Sequence, residues 1–165
     1  MTEITPRIYV ASLSDYNAGR LVGKWIDLEG KTKEDILEEV NEMLKTSKEP
    51  IAEEWAIHDF ESMPDLGENP DLEKVVAIAD AIAEHGEAFL AYAKYQGDCA
   101  TKKGFEDSYQ GQYSNDEKFA QEMAEQCEDI QKEVHWPYTC IDWEHAAREL
   151  MYDYFEEDGY YFRNS

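Results

Sequence analysis

The sequence predicts an α+β fold made of three small units, over residues 1–62, 63–104 and 105–165. Strand-like alternation occurs near both ends of the chain, and apolar residues at helical spacing occur in every third of it. Segments rich in glycine and proline separate these patterns. The 165 residues suit one ordinary domain, and 42% hydrophobic with 13% aromatic residues can form a core.

The first unit is predicted to be a three-stranded sheet with one helix. Residues 7–12 and 23–28 are rich in β-branched and aromatic side chains and indicate strands, with a turn-rich segment between them. Residues 32–46 indicate a helix capped by Thr32, and residues 54–60 alternate as a third strand. The apolar residues of the helix share one face: Ile36, Leu37, Val40, Met43 and Leu44.

The middle unit is predicted to be helical. Residues 62–70 contain two prolines and one glycine and indicate a boundary. Asn69 as the N-cap and Pro70 as the first helical residue are predicted to start a helix, which Gly86 ends. A second short helix is predicted over residues 87–95.

The last unit is predicted to contain helices and a hairpin. Ser114 and Glu117 have the spacing of a capping box before an amphipathic helix. Asp142 is placed to cap a further short helix. The dipeptide 158–159, Asp-Gly, lies between alternating residues and predicts a hairpin turn.

The tryptophans are predicted to divide into two groups. Trp25, Trp55 and Trp143 lie within apolar patterns and are expected to pack in small cores. Trp136 precedes a proline and is expected to be exposed, where it could contact a partner or a second copy of the chain.

The strongest functional signal is a formal net charge of −23, from 38 Asp and Glu against 15 Lys and Arg. Such an excess destabilises a compact chain by self-repulsion, so a role other than folding is expected for it. Proteins bind nucleic acids and anionic membranes through cationic side chains, which argues against both as direct partners. The composition therefore predicts that the partner is a basic protein surface.

Targeting signals and cysteines indicate the compartment. The N-terminus lacks the pattern of a signal peptide, and no stretch approaches the roughly 18 apolar residues of a membrane span. The three cysteines are widely spaced and form no CxxC pair, which is typical of reduced thiols. A cytoplasmic protein is expected.

Carboxylates form rows on two of the predicted helices. Like charges spaced i, i+4 each cost about 0.2–0.5 kcal/mol. Four helical residues rise about 6 Å, and a DNA strand advances about 3.4 Å per phosphate, so a row offers about one charge for every two phosphates. The rows are either ordinary solvated faces or an imitation of a polyanion. Their residues are Glu34, Glu38, Glu39 and Glu42 on the first helix, and Glu122, Glu125, Glu128 and Asp129 on the later one.

An enzyme is the alternative class of function. His58 beside Asp59 could form a catalytic pair, but adjacent residues of a strand point to opposite faces. Carboxylate pairs occur by chance in a chain with 38 acids and are uninformative. The chain also lacks the nucleotide-binding, EF-hand and zinc-site patterns. No catalytic residue, metal or cofactor is predicted.

Four blocks, in order, resemble the ArdA family of antirestriction proteins, which mobile elements use against host restriction. The first two blocks are RIYVASLSDYNAGRLVGKWIDL and EEWAIHDFE. The third is FEDSYQGQYSNDEKFAQEMAE, and the fourth combines IDWEHAAREL with DGYYFR. The resemblance runs from about residue 7 to residue 163 and includes four acidic positions: Asp59, Glu61, Glu106 and Asp107.

The resemblance implies an elongated, curved protomer of three small α/β units and a homodimer joined through the C-terminal unit. It implies a surface that mimics bent B-form DNA and occupies the DNA groove of Type I restriction-modification enzymes in a bacterial host, without any reaction. The four matching carboxylates and the helical rows together are the predicted partner-binding residues. The alternative is an acidic binding module or chaperone for another basic nucleic-acid-binding protein.

Overall fold

The structure, a computed structural model, describes residues 4–127 and 136–164. The described residues form helices and two small antiparallel sheets, which confirms the α+β class. The chain divides into two compact units, Met1–Lys102 and Lys103–Ser165, called here the N-terminal and C-terminal units. The further boundary near residue 62 stays a prediction.

The N-terminal unit begins with a three-stranded sheet and its helices. The elements are β1 (Arg7–Ser12), α1 (Leu13–Asn17), β2 (Gly23–Asp27), α2 (Lys33–Lys45) and β3 (Trp55–Glu61). The central strand β1 pairs antiparallel with both neighbours, in the order β2-β1-β3. Helix α2 packs against β1 and β2, and the side chains of Ile8, Val10 and Ile26 are fully buried.

The start of α2 is fixed by a capping box. The backbone N–H of Asp35 donates to Thr32 Oγ1 at 3.2 Å, and the backbone N–H of Thr32 donates to Asp35 Oδ2 at 2.9 Å. These bonds to Thr32 hold the pKa of Asp35 below its ordinary value. The predicted cap at Thr32 is therefore confirmed.

The segment after β1 differs from the prediction of a turn, because residues Leu13–Asn17 form the short helix α1. Ser12 caps this helix and accepts the N–H of Asp15 at 3.4 Å. The Asp15 side chain is fully buried and accepts hydrogen bonds from Ser47 Oγ and, at 3.4 Å, from Arg20 Nε. Arg20 also pairs with Glu49, so one buried carboxylate joins α1 to the segment after α2.

Replacing Asp15 by asparagine is expected to lower stability at neutral pH and to have little effect in acid. The hydroxyl of Ser47, with smaller contributions from Ser12 and Arg20, holds the pKa of Asp15 below its ordinary value. A carboxylate with a depressed pKa stabilises the folded state at pH values above its ordinary pKa of about 3.9. This contribution disappears as the pH falls through the folded-state pKa. Urea unfolding of both proteins between pH 7 and pH 2.5 measures the difference. A difference that stays constant over this range would contradict the role of the charge, and Ser47→Ala should behave like a weaker version of the same change.

Two helices and a short 3₁₀ turn complete the N-terminal unit: α3 (Leu72–His85), α4 (Glu87–Gln96) and Gly97–Cys99. Gly86 ends α3 with φ 70°, as predicted, and its N–H donates to the carbonyl of Ile82 at 2.7 Å. The predicted cap at Asn69 is wrong. Asp71 caps the helix instead, because its carboxylate accepts the N–H of Glu73 at 3.0 Å.

The C-terminal unit carries the second sheet. The elements are α5 (Lys102–Ser108), which starts at the unit boundary, β4 (Tyr109–Gln112), α6 (Asp116–Cys127), a 3₁₀ turn (Tyr138–Cys140), α7 (Trp143–Leu150), β5 (Tyr154–Glu157) and β6 (Tyr160–Arg163). The strands lie in the order β4-β6-β5. The predicted hairpin at 158–159 joins β5 to β6, with both turn residues at positive φ, as a tight hairpin turn requires.

Of the two helix caps predicted in this unit, the structure confirms the cap of α7 and contradicts the cap of α6. Asp142 caps α7 and accepts the N–H of His145 at 3.1 Å, as predicted. The capping box at Ser114 is wrong, because the side chain of Asn115 accepts the N–H of Lys118 at 2.8 Å and starts α6 one residue later.

An aromatic core holds the C-terminal unit together. The ring of Phe119 is fully buried and lies 4.6 Å from the Tyr161 ring and 5.1 Å from the Tyr154 ring, between centroids. The Tyr161 hydroxyl donates to Asp116 Oδ1 at 2.6 Å. Burial, together with this bond, raises the pKa of Tyr161 well above its ordinary value.

Candidate functional site

The clearest acidic feature is the α2 row, defined as Glu34, Glu38 and Glu42. All three side chains are exposed, on the side of the helix away from the buried apolar residues. Within the described residues none of them forms an ion pair or a side-chain hydrogen bond. Repulsion along the row is therefore left uncompensated by any lysine or arginine of the described chain.

Glu39, predicted as part of the same surface, has different surroundings. It is half-buried between Lys24 Nζ at 3.1 Å and Lys31 Nζ at 2.5 Å. Burial acts to raise the pKa of Glu39, but the bonds and charges of the two lysines outweigh it, so the pKa is lowered. Glu39 thus joins α2 to the sheet by ion pairs, and much of its charge is neutralised within the protein.

Asp59 and Glu61 lie on the side of the N-terminal sheet that carries the solvent-facing residues. This side, called the open face, consists of two cross-strand rows. The register places Trp25, Tyr9 and Asp59 in one row and Asp27, Arg7 and Glu61 in the next. The residues between them in sequence, such as Ile8 and Ile26, point to the other side and are buried, because side chains alternate along a strand.

Arg7 lies at the centre of the second row. Its Nη2 is 2.5 Å from Glu61 Oε2, and its Nε is 3.8 Å from Asp27 Oδ1. Its guanidinium carbon lies 5.0 Å from the centroid of the Trp25 ring. The hydrogen bond to Glu61 raises the pKa of Arg7, so the guanidinium stays charged.

The acidic residues of the C-terminal unit lie on α5 and α6. Glu106 and Asp107 are exposed on α5, and Glu122 and Glu125 are exposed on α6. Glu122 Oε1 accepts a bond from Gln126 at 3.2 Å. The last two predicted carboxylates, Glu128 and Asp129, lie outside the described residues.

The pair considered for catalysis does not form a hydrogen-bonded unit. The pairing of β3 with β1 shifts register beside His58, and the His58 ring lies edge-on to the Tyr16 ring at 5.0 Å. A shallow cleft of about 710 Å³ is lined by Tyr16, His58 and Asp59, among others. Over residues 4–127 and 136–164, no hydrogen bond joins His58 to Asp59, and no group of three potential metal ligands is found.

No helix in the same ranges has the length and apolar character needed to cross a membrane.

The tryptophans follow the prediction in part. Trp136 is exposed, with 76% of its surface accessible, which confirms the expectation. Trp55 and Trp143 are half-buried. Trp25 was expected in a core and is 37% exposed, because it occupies the open face of β2 and packs edge-on against Tyr9 at 5.3 Å.

Sequence reasoning missed Arg7, Tyr9 and Asp27 as members of one surface. A signal for this was present, since Arg7 and Tyr9 on β1, and Trp25 and Asp27 on β2, are spaced by two and share a face of any sheet they form. Only the register of the pairing brings these residues side by side.

Comparison with known proteins finds one family, which matches most of the chain. A family model described as antirestriction protein (ArdA) matches residues 8–162. A search of curated proteins gave no match. The matched segment includes every carboxylate predicted to bind a partner, and it begins one residue after Arg7.

Proposed function

The chain belongs to the ArdA family of antirestriction proteins, and on that premise we propose that it acts as a mimic of B-form DNA. It would occupy the DNA-binding groove of a Type I restriction-modification enzyme and so prevent the enzyme from engaging DNA. The observation that carries this proposal is the α2 row, because three exposed carboxylates without a cation present a regular line of negative charge.

The total charge is consistent with this proposal. Duplex DNA carries one charge per about 1.7 Å of its axis, so 23 net charges match about 40 Å of duplex. This net value already subtracts every lysine and arginine, so the ion pairs of Glu39 and Glu61 do not reduce it further. A groove lined with lysine and arginine would therefore meet as many negative charges as about 40 Å of its usual ligand carries.

In the proposed mechanism the protein performs no reaction. Carboxylates on the rows take the places of phosphates and pair with the cationic side chains of the enzyme. Complementary potentials speed association and fix the orientation of the two proteins, whereas affinity also needs matching shape. The proposal includes an elongated, curved protomer and a homodimer joined through the C-terminal unit. Both would lengthen the acidic surface that mimics DNA. The same acidic surfaces would also suit a chaperone of basic nucleic-acid-binding proteins.

A competition assay tests the proposal. Fluorescent DNA bound to the methyltransferase core of a Type I enzyme is titrated with the protein at about 50 and about 200 mM salt, a range over which ionic contacts weaken strongly. Displacement at near-stoichiometric amounts, weaker at the higher salt, is the expected result. An unrelated basic DNA-binding protein serves as the control. Failure to displace DNA from the methyltransferase core, with the protein folded, would overturn the proposal, and equal displacement from the control would favour a general acidic chaperone.

A further inference from the structure

We propose that the open face of the N-terminal sheet is a docking surface for arginine side chains of the partner, and that Arg7 occupies one arginine position until the partner's arginine displaces it. The inference rests on the proposed function, since it names how part of the surface would bind a basic protein. It concerns a surface that combines aromatic rings with carboxylates, unlike the purely acidic α2 row.

The open face has the charge and exposure that a docking surface for a cation needs. Its carboxylates, Asp27, Asp59 and Glu61, are exposed and outnumber its one cation, Arg7. The side chains of Asp27 and Glu61 retain 61% and 52% of their accessibility despite their pairing with Arg7. The face is therefore left with an excess of negative charge that a partner's guanidinium can neutralise.

Arg7 shows which chemistry this surface recognises. Its guanidinium lies over the indole ring of Trp25 and reaches the carboxylates of two different strands. These are the contacts that a guanidinium favours, because it is planar, stacks on aromatic rings and forms forked bonds to carboxylates. An ammonium group is a compact and strongly hydrated charge, so lysine would gain less from the same surface.

The aromatic part of the open face is held in place by the sheet. The Trp25 ring packs edge-on against Tyr9, directly across the strand pair. Gly23 leaves room for Tyr9, because a Cβ at this position would lie 2.8 Å from the Tyr9 hydroxyl and 2.4 Å from the Val10 carbonyl oxygen. A rigid aromatic platform loses little conformational entropy when a partner binds to it.

Displacement of Arg7 by a second arginine is feasible because its contacts are exposed. Exposed ion pairs are weak and exchange readily with solvent and with other ions. Arg7 keeps 34% of its side chain exposed, and its guanidinium carbon occupies a position 5.0 Å from the centroid of the Trp25 ring. Removal of the Arg7 guanidinium should therefore open the site to an arginine of the partner.

Binding of two short peptides, tetra-arginine and tetra-lysine, to the full chain tests the proposal. The two peptides carry the same charge, and the indole N–H resonance of Trp25 reports on the open face. We expect tetra-arginine to bind about threefold more tightly than tetra-lysine and to shift the Trp25 resonance. Trp25→Leu should abolish the preference for arginine, whereas Tyr152→Leu, at an aromatic residue that is 82% exposed in the C-terminal unit, should preserve it. If Trp25→Leu fails to fold, Glu61→Gln, at an exposed position, replaces it and should reduce the preference, because one carboxylate that can form forked bonds to a guanidinium is lost while the Trp25 ring remains.

Arg7→Gln separates displacement from a simple change of net charge. Lys48→Gln is the control, because it removes the same charge from an exposed lysine outside the open face. The affinity of the Arg7→Gln protein for tetra-arginine should be about threefold higher than that of the Lys48→Gln protein. Equal affinities for the two peptides, a preference that survives Trp25→Leu, or equal effects of Arg7→Gln and Lys48→Gln would each overturn the inference.

The peptide assay contains no restriction enzyme, so the inference and the proposed function can fail separately. An arginine preference that depends on Trp25, without displacement of DNA from the methyltransferase core, would refute the proposed function and support the arginine site. Displacement of DNA by a protein without arginine preference would support the proposed function and refute the arginine site.

Discussion

Replacing Glu34, Glu38 and Glu42 together by glutamine is expected to weaken competition with DNA for the restriction enzyme by about 3- to 100-fold. Exposed ion pairs contribute about 0.2–1 kcal/mol each, and every 1.4 kcal/mol corresponds to a factor of ten in affinity. Each single replacement should therefore change the inhibition only slightly. The competition assay at two salt concentrations measures both effects, and the triple variant should also show the weaker salt dependence.

The double variant Glu38→Gln/Glu42→Gln is expected to be more stable than the natural protein, and it keeps Glu34, whose carboxylate the helix dipole stabilises in the first turn of α2. Two repulsive i, i+4 contacts along the α2 row disappear, which corresponds to a gain of about 0.4–1 kcal/mol in the free energy of unfolding. Urea unfolding measures this gain. Lower inhibition together with higher stability would show that the row is kept for binding, because a variant that simply misfolds loses both.

Net charge requires its own control, since the triple variant removes three negative charges. Glu29, Glu53 and Glu73 are exposed and scattered over the N-terminal unit, so their combined replacement by glutamine changes the charge equally without touching the row. This control should weaken inhibition less than the α2 variant does. An equal loss in both variants would contradict a role for the row as an arranged set of charges.

The helices show how far local sequence determines structure. The cap of α2 was predictable because Thr32 and Asp35 satisfy each other within four residues. The caps at Asn115 and Asp71 were missed because a second capping residue stands close to each, and local patterns do not decide between them. Such competition moves a helix end by one or two residues and leaves the helix itself unchanged.

The sequence predicted only those parts of the candidate site whose residues all lie on one helix or strand. The α2 row follows from helical spacing alone, and the structure exposes all three of its carboxylates. The pairing of Glu39 with Lys24 could not be predicted, because the lysine belongs to β2 and its position depends on packing. The buried carboxylate of Asp15 depends in the same way on Ser47, which is 32 residues further along the chain.

The open face was missed for a related reason. Its rows exist only because β1 pairs with β2 and β3 in one register, and a register shift between Tyr9 and Val10 changes the alignment with β3. A slip by one residue would move every side chain to the opposite side of the sheet. Alternation within a strand predicts which residues share a side, whereas the neighbours across the strands follow from the whole fold.

Replacing Phe119 by alanine is expected to destabilise the C-terminal unit by about 3–5 kcal/mol, the usual cost of truncating a buried phenylalanine. Phe119 is fully buried, and its ring lies against the rings of Tyr113, Tyr154 and Tyr161, at 4.6–5.2 Å between centroids. The lost ring leaves a cavity that three rigid aromatic side chains cannot fill by small movements. Urea unfolding followed by near-ultraviolet circular dichroism, which reports on these tyrosines, measures the loss.

The oligomeric state links the same substitution to the proposed function, because a homodimer joined through the C-terminal unit needs that unit to be folded. Phe119→Ala should therefore weaken the proposed dimer in sedimentation experiments and weaken competition with DNA, although it removes no carboxylate. Phe119→Leu keeps most of the apolar volume and should cost less stability than Phe119→Ala, with the proposed dimer intact. A stable Phe119→Ala protein would contradict the aromatic core, and a dimer that persists after the C-terminal unit has unfolded would contradict the proposed interface.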